Sequence, residues 1–513
     1  MEDRYAKKWR ALIGISLLAF IAFMDYGIVN TILPGIQADL LATVSQLQWV
    51  MNVFFMALAM FMVTVGRVGD LYGRRRVLYI GVVVFGIASV ACSVAPDVNF
   101  LIPWRAVQGV SAAILLTCAA SLVTHAFPQA EQGRALGIFL SITAAAMAIG
   151  PVLGGSFLSF LNWRWAFYVN VPVIVIGSLI CRGAVPETPR MANVKLDVWG
   201  LLFLVPGIGV LVLAIMEGYA WGWTSPVMFG LYAMTVVCVI GFIVTERRVS
   251  SPIIDLRLFR HPMFLTALIA GFSVGAFVGI GSFLPPLYLM NVQGFAPYAV
   301  GLMLLPIPML VVIVPPLVGK WIDTRGPVLL IVVGQIALLA AAFAQMQFIA
   351  DSPIWFVLVA LGLFGLGWGL QQGSTVSAAT SAVPPEDAGV AVGALWTFWN
   401  IGSVLALSIG GLILNLVDRS HLNAALADKG ITLADRQQHV IRSLLADPTG
   451  AERALGELPA KLSTEIVPLF HESFMAGYDG AMTFMAVLCG VALIGTVLAA
   501  FRARTSNQRT DSV

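Results

Sequence analysis

The stretch GRVGDLYGRRR, Gly66 to Arg76, joins two long apolar runs, 47–66 and 77–96. Its glycines permit close helix approach and a tight turn. Asp70 falls where the first helix would end, among Arg67, Arg74, Arg75 and Arg76, so an ion pair there can hold one end of a helix bundle shut. A weaker copy, GKWIDTRG from Gly319 to Gly326, joins the runs 297–319 and 328–349 and repeats an acidic and a basic position at Asp323 and Arg325. The same punctuation at the same place in two halves of a chain argues for an internal duplication.

The sequence around these turns is too apolar for a water-exposed surface. Hydrophobic residues make up 59% of the 513 positions and charged residues 11%, with a mean hydropathy of +0.91. Soluble chains hold roughly 45–50% and about 25%. A spanning helix needs about 20 mainly apolar residues. Such runs lie at 12–36, 47–66, 77–96, 99–124, 134–160, 166–185, 198–219, 226–245, 263–290, 297–319, 328–349, 352–379, 387–415 and 478–502. The reading is an all-α membrane protein of fourteen spans, since helices of this length exclude barrel strands. The first run is too long for a signal peptide and is read as a retained span. Five cysteines, Cys92, Cys118, Cys181, Cys238 and Cys489, all fall inside apolar runs with no CxxC, which favours packing over metal or disulfide chemistry.

Charge sets the direction. With the N-terminus cytoplasmic, the inner segments hold twenty-one Lys and Arg, and the short outer loops hold only Arg164. The positive-inside rule therefore places both termini in the cytoplasm of a bacterial inner membrane. One outer loop, 416–477, is long and carries charges of both signs. Within it, residues 433–446 read as a short amphipathic helix, either a cap, a dock for a periplasmic adaptor protein, or a solvated insertion.

The motifs resemble those of the major facilitator superfamily. Gly66, Gly69, Asp70, Gly73, Arg74 and Arg75 match that family's signature between spans 2 and 3. LIPWRAVQGVSAA, Leu101 to Ala113, is similar to its span-4 motif, with Arg105, Gln108 and Gly109 in register. GIFLSITAAAMAIGPVLGG resembles its span-5 antiporter motif at Gly137, Gly150, Pro151, Gly154 and Gly155, with Ala146 where a glycine is usual. MDYGIVNTILPGI, Met24 to Ile36, and SPIIDLRLFRHPMF, Ser251 to Phe264, are similar to the fourteen-span drug:proton antiporter branch, although Gly27 stands where Thr or Ser is common. The resemblance implies two six-helix halves, 1–190 and 251–513, with an inserted pair of spans in 191–250. It also implies an inner gate at Gly66, Asp70, Gly73, Arg74, Arg75, Asp323 and Arg325, and export rather than uptake.

Charges inside spans are rare, at roughly 2.5–3.5 kcal/mol each on the insertion scale. Asp25 lies in the middle of the first span and Arg105 in the fourth. From a 1.5 Å rise and a ~30 Å core, both come out about 20 Å above the cytoplasmic boundary. Desolvation favours the neutral acid and a nearby guanidinium favours the carboxylate, so Asp25 reads as a proton-binding site. A static Asp–Arg staple is the alternative. Glu217 is a further proton-coupling candidate, although its neighbours Tyr219, Trp221 and Trp223 look like an interfacial belt. For bulky lipophilic cargo, the candidates are Tyr26, Asn30, Phe54, Phe55, Trp396, Trp399 and Asn400, or these rings are packing residues.

The expected function is a proton-driven exporter (antiporter) of drugs or other lipophilic compounds, cations among them. The alternative is an exporter of a lipid, fatty acid, siderophore or other metabolite. No GxxxxGK[ST] loop, HExxH or mid-span Ser/His pair occurs, so neither an ATP site nor hydrolytic chemistry is expected, and the chain reads as no enzyme. The expected partners are small amphipathic substrates, protons and membrane lipid, with no cofactor, no metal and no nucleic acid, and the chain is expected to be a monomer. A channel is the remaining reading, and the duplicated turn favours alternating access over it.

Overall fold

The computed structural model describes residues 7–42, 44–128, 131–187, 197–249, 256–383, 388–429 and 460–510. The side chains of Tyr26, Asp70 and Asp323 lie outside those described, as do the expected domain boundaries at 190/191 and 250/251 and the expected amphipathic helix 433–446. Helices run in the order α1 (Lys8–Leu40), α2 (Val44–Tyr72), α3 (Arg74–Ser93), α4 (Val98–Ala126), α5 (Gln132–Phe160), α6 (Trp165–Tyr168), α7 (Asn170–Cys181), α8 (Val198–Trp221) and α9 (Pro226–Glu246). They continue with α10 (Pro262–Asn291), α11 (Pro297–Met303), α12 (Pro306–Arg325), α13 (Val328–Met346), α14 (Ile354–Thr380), α15 (Ala388–Asp428) and α16 (Ala460–Thr510). Among the described residues no strand occurs. Twelve helical segments there are long and apolar enough to cross a membrane, and two shorter apolar helices, Trp49–Met62 and Trp165–Cys181, fall on the second and sixth apolar runs.

Local chemistry explains the breaks. Gly73 takes φ +94° between α2 and α3, and Gly326 takes φ +74° at the end of α12. These are matching positions of the duplicated turn, three residues after Asp70 and Asp323, and an L side chain is strained at such angles. Asp97 caps α4 by accepting from the Phe100 amide at 2.9 Å. Asp197 caps α8 through the Gly200 amide at 2.8 Å. Span 10 is split into α11 and α12 at Leu304–Leu305, just before Pro306. The segment 416–477, expected as a loop, is corrected at both ends: α15 runs on to Asp428 and α16 starts at Ala460. Leu422, Leu426, Leu469, Phe470 and Phe474 are buried there, so an apolar face persists beyond the spanning runs.

The helices pair in a repeated pattern. In the first part α1 packs on α4, α5 and α7, while α2 and α3 pack on α4. In the last part α10 packs on α14, α15 and α16, while α12 and α13 pack on α14. The two parts meet where α2 touches α15 and where α5 touches α11 and α12. The α8–α9 pair adjoins this seam, with α8 against α2 and α15.

Small residues make the two strongest pairings possible. A methyl on Gly150 of α5 would stand 2.9 Å from both the Met24 carbonyl oxygen and the Ile28 nitrogen of α1. One on Gly154 would stand 2.9 Å from the Ile28 carbonyl oxygen. Gly27 faces the same seam, where a methyl would meet the Met147 carbonyl at 2.8 Å and Pro151 Cδ at 3.0 Å. That contact is the physical reason for glycine at a position where a hydroxyl side chain is usual. The counterpart in the last part is a stripe that the sequence reading did not single out. Methyls on Gly275 and Gly279 of α10 would fall on the Trp399 and Ser403 carbonyl oxygens of α15. Gly275→Ala should therefore lower stability by about 1–3 kcal/mol through overpacking. Gly411→Ala, where nothing lies within 4 Å, should be neutral or slightly stabilising. Thermal melting of the two variants in detergent checks this contrast.

Candidate functional site

The middle of α1 carries Asp25, which is 0% exposed, and α4 brings Arg105, 1% exposed, against it. Arg105 Nη1 donates to Asp25 Oδ2 at 2.5 Å and to Gln108 Oε1 at 2.7 Å. Gln108, one turn further along α4, returns its Nε2 to Asp25 Oδ1 at 3.3 Å and to Ser89 Oγ of α3 at 3.0 Å. Asn170, at the start of α7, donates to the same Ser89 oxygen at 3.2 Å. Arg105 Nε reaches the Val50 carbonyl of α2 at 3.2 Å. The guanidinium also lies 4.4 Å from the centroid of the Phe54 ring and 5.8 Å from that of Phe167. A charge in an apolar interior survives only when its donors are placed and its partner is fixed, and here six helices supply the enclosure. Gly109 permits it, because a methyl there would strike the Phe54 backbone and hold α4 away from α2. Other ion pairs, Lys8–Glu131, Arg75–Glu187 and Arg164–Asp39, all have partly exposed members.

The expected antiporter stripe is the wall behind this pair. Gly150 and Gly154 close on α1 one residue before and three residues after Asp25, at Met24 and Ile28, and Gly155 is buried beside them. Pro151 faces the other half of the molecule as well: a methyl on Gly301 of α11 would stand 3.5 Å from its carbonyl oxygen. Glu217 is held apart from the pair. Its Oε1 accepts from Trp49 Nε1 at 2.7 Å, and the link to Arg105 runs indirectly through α2, where the next residue, Val50, takes the guanidinium. Glu217 thus ties α8 to α2 rather than completing a charge cluster.

The aromatic candidates separate. Phe54 is stacked on Arg105 and Phe55 packs edge-on to Phe54 with centroids 5.5 Å apart, and neither is among the residues lining the recess between α10, α14 and α15. Asn30 is half-buried on α1. Trp396 and Trp399 do line this recess between α10, α14 and α15, which is partly open to its surroundings. Trp368, Gln371 and Gln372 of α14 complete it and were missed from the sequence, although two adjacent glutamines inside an apolar run were the available mark. Asn400 turns away to the seam, donating to the Trp396 carbonyl at 2.8 Å and lying 3.6 Å from Met62 Sδ of α2. Among the described residues no cluster of His, Cys, Asp or Glu could hold a metal ion.

At the gate turn, Gly66 faces Thr117 and Gly69 lies against Arg74, while Arg75 finds a carboxylate that the sequence reading did not assign. Glu187, just after α7, accepts from the Arg75 amide at 3.1 Å and pairs with its Nε at 3.4 Å, capping the start of α3. Arg325, in the second copy, lies 5.6 Å from the Trp321 ring centroid. The opposite end is clamped by Asp39, which accepts from Arg164 and from Trp163 Nε1. The Arg164 hydrogen bond, and then that of Trp163, hold the Asp39 carboxyl below its usual range.

Comparison with known proteins identifies the family and the fold. The family model of the Major Facilitator Superfamily matches residues 15–407. The chain is 33% identical over 480 residues to the multidrug resistance protein Stp of Mycobacterium tuberculosis, covering 92% of this chain and 88% of that protein. It is 29% identical over 510 residues to the tetracenomycin C resistance and export protein of Streptomyces glaucescens, covering 96% and 91%. Among solved structures, the POT family transporter PepTSo superposes with a TM-score of 0.62 at 16% identity, over 97% of this chain and 98% of that one, a likeness of fold alone.

Removing one member of a buried pair leaves the other uncompensated. Arg105→Met should therefore destabilise by ~3–5 kcal/mol. Adding Asp25→Asn should restore part of that loss, because the stranded carboxylate is gone. A double-mutant cycle read by thermal melting checks the coupling; additive losses would show that the pair carries no mutual energy.

Proposed function

Given that the chain belongs to the major facilitator superfamily, we propose that it is a proton-coupled exporter of lipophilic, drug-like compounds that works by alternating access. The observation that carries this reading is the enclosed Asp25–Arg105 pair at the α1–α5 seam. Stp and the tetracenomycin protein are named for multidrug resistance and for antibiotic resistance and export, which supports drug-like cargo.

The proposed coupling needs two arrangements of one carboxylate. Buried against Arg105 and Gln108, Asp25 has its charge compensated. Drawn away from them toward water, its proton affinity changes, because both desolvation and the guanidinium act on it. The α1–α5 seam is where such a change would be transmitted, since Pro151 lies on the same helix face region that meets Gly301 of α11. The second cross-seam contact, Met62 to Asn400, lies ten residues before the end of α2 at the gate turn, whereas Pro151 lies nine residues before the opposite end of α5. Rocking of one half against the other would part these contacts in turn. In this reading the halves are 1–190 and 251–513 with α8–α9 inserted, the membrane is the bacterial inner membrane, and both termini are cytoplasmic because the basic segments face that side.

The test is purified protein in liposomes loaded with a pH-sensitive dye, under an imposed proton gradient, with added lipophilic compounds. Wild type should release protons on addition of compound, and Asp25→Asn, checked for folding, should fall to the leak of empty liposomes. Equal proton movement in both proteins would place the coupling away from Asp25.

A further inference from the structure

The recess between α10, α14 and α15 is chemically unlike the Asp25 site. Gly271, Val274, Leu395 and the three tryptophans supply its apolar wall, and no lining residue is charged. The Trp368 and Trp396 rings incline to Trp399 by 41° and 65°, so neither pair is stacked face to face. Its polar side chains are two amides and the Thr375 hydroxyl, which donates to the Gln371 carbonyl at 2.7 Å. Gln371 is fully buried, and its Nε2 donates to the Gly367 carbonyl at 3.3 Å. That carbonyl accepts only from a donor, which fixes the amide orientation and leaves Oε1 over. Gln371 Oε1 and Gln372 Oε1 are both buried without a hydrogen-bond partner. A buried acceptor left unmade is a standing penalty that a donor from outside can remove.

We infer that this recess binds compact planar aromatic molecules that carry N–H or O–H donors, with Gln371 and Gln372 Oε1 as acceptors and the tryptophan faces as the stacking surface. The inference rests on the reading of the chain as an exporter of drug-like compounds, and it narrows their chemistry. A formal charge on the ligand is not required, because no carboxylate lines the recess and a delocalised cation gains only from the ring faces. Anions find no basic partner there.

The test is direct binding to the full chain in detergent, read by quenching of tryptophan fluorescence, with no proton gradient present. The probes are an N-methyl diaminoacridinium and its tetra-N-methylated counterpart, which share ring and fixed charge but differ in donors. A neutral pair, diaminoanthraquinone and its tetra-N-methylated counterpart, removes the charge. Each diamino compound should bind about three- to tenfold more tightly than its methylated partner. The preference should vanish in Gln371→Met or Gln372→Met, with affinity for the methylated compounds unchanged, and Trp396→Leu should weaken all four. Either glutamine variant suffices, provided it elutes and melts as a folded protein. Equal affinity within both pairs, a preference that survives both glutamine substitutions, or no binding of any probe would overturn the assignment. Because no gradient is used, a failure of proton coupling leaves this result standing, and a failure here leaves the liposome result standing.

Discussion

A carboxylate and a guanidinium with almost no exposed surface, in a bundle whose outer face is apolar, must be enclosed on every side. Desolvating the Asp25–Arg105 pair is tolerable because Gln108, the Val50 carbonyl and the Phe54 ring compensate the guanidinium beside the carboxylate. That requirement fixes much of the surrounding packing. Gly109 lets α4 close on α2, and Gly150, Gly154 and Gly27 let α5 close on α1. Small residues here are the condition for bringing backbones close enough to exclude lipid and water from the pair.

The last part of the chain repeats the framework without the charge. Asp25 stands two residues before Gly27 at the α1–α5 seam, and the residue two before Gly275 at the α10–α15 seam is Ser273, which donates to Gln335 at 3.0 Å. One part thus holds an ion pair, and the other holds neutral amides and a tryptophan-walled recess. With cargo in the recess, as inferred above, proton and cargo would bind in different parts of the chain, and rocking across the α2–α15 and α5–α12 contacts would couple them.

Hydropathy and loop charge made the spans legible, because a lipid-facing helix leaves a long uninterrupted mark. The depth of Asp25 and Arg105 was legible for the same reason: a fixed rise per residue turns sequence spacing into height. What stayed hidden was azimuth. Phe54 and Trp396 look alike as aromatic residues in apolar runs, and only the packing shows that one covers Arg105 while the other lines a cavity. Glu187 was hidden because its partner Arg75 is 112 residues away in the chain. The α10 stripe was hidden because glycine is common in spans, and only contact with Trp399 and Ser403 gives Gly275 and Gly279 their meaning. The helical extensions into 416–477 were masked by charged residues that shared a segment with a buried apolar face.

The decisive measurement is of the proton itself. Difference infrared spectroscopy of the protein in lipid films, recorded in light and heavy water, reports the carbonyl stretch of a protonated carboxyl group. A reversible band of that kind, altered by bound cargo and absent from a folded Asp25→Asn variant, is the predicted result. A spectrum in which that variant shows the same cargo-dependent band as wild type would contradict Asp25 as the site where the proton is held.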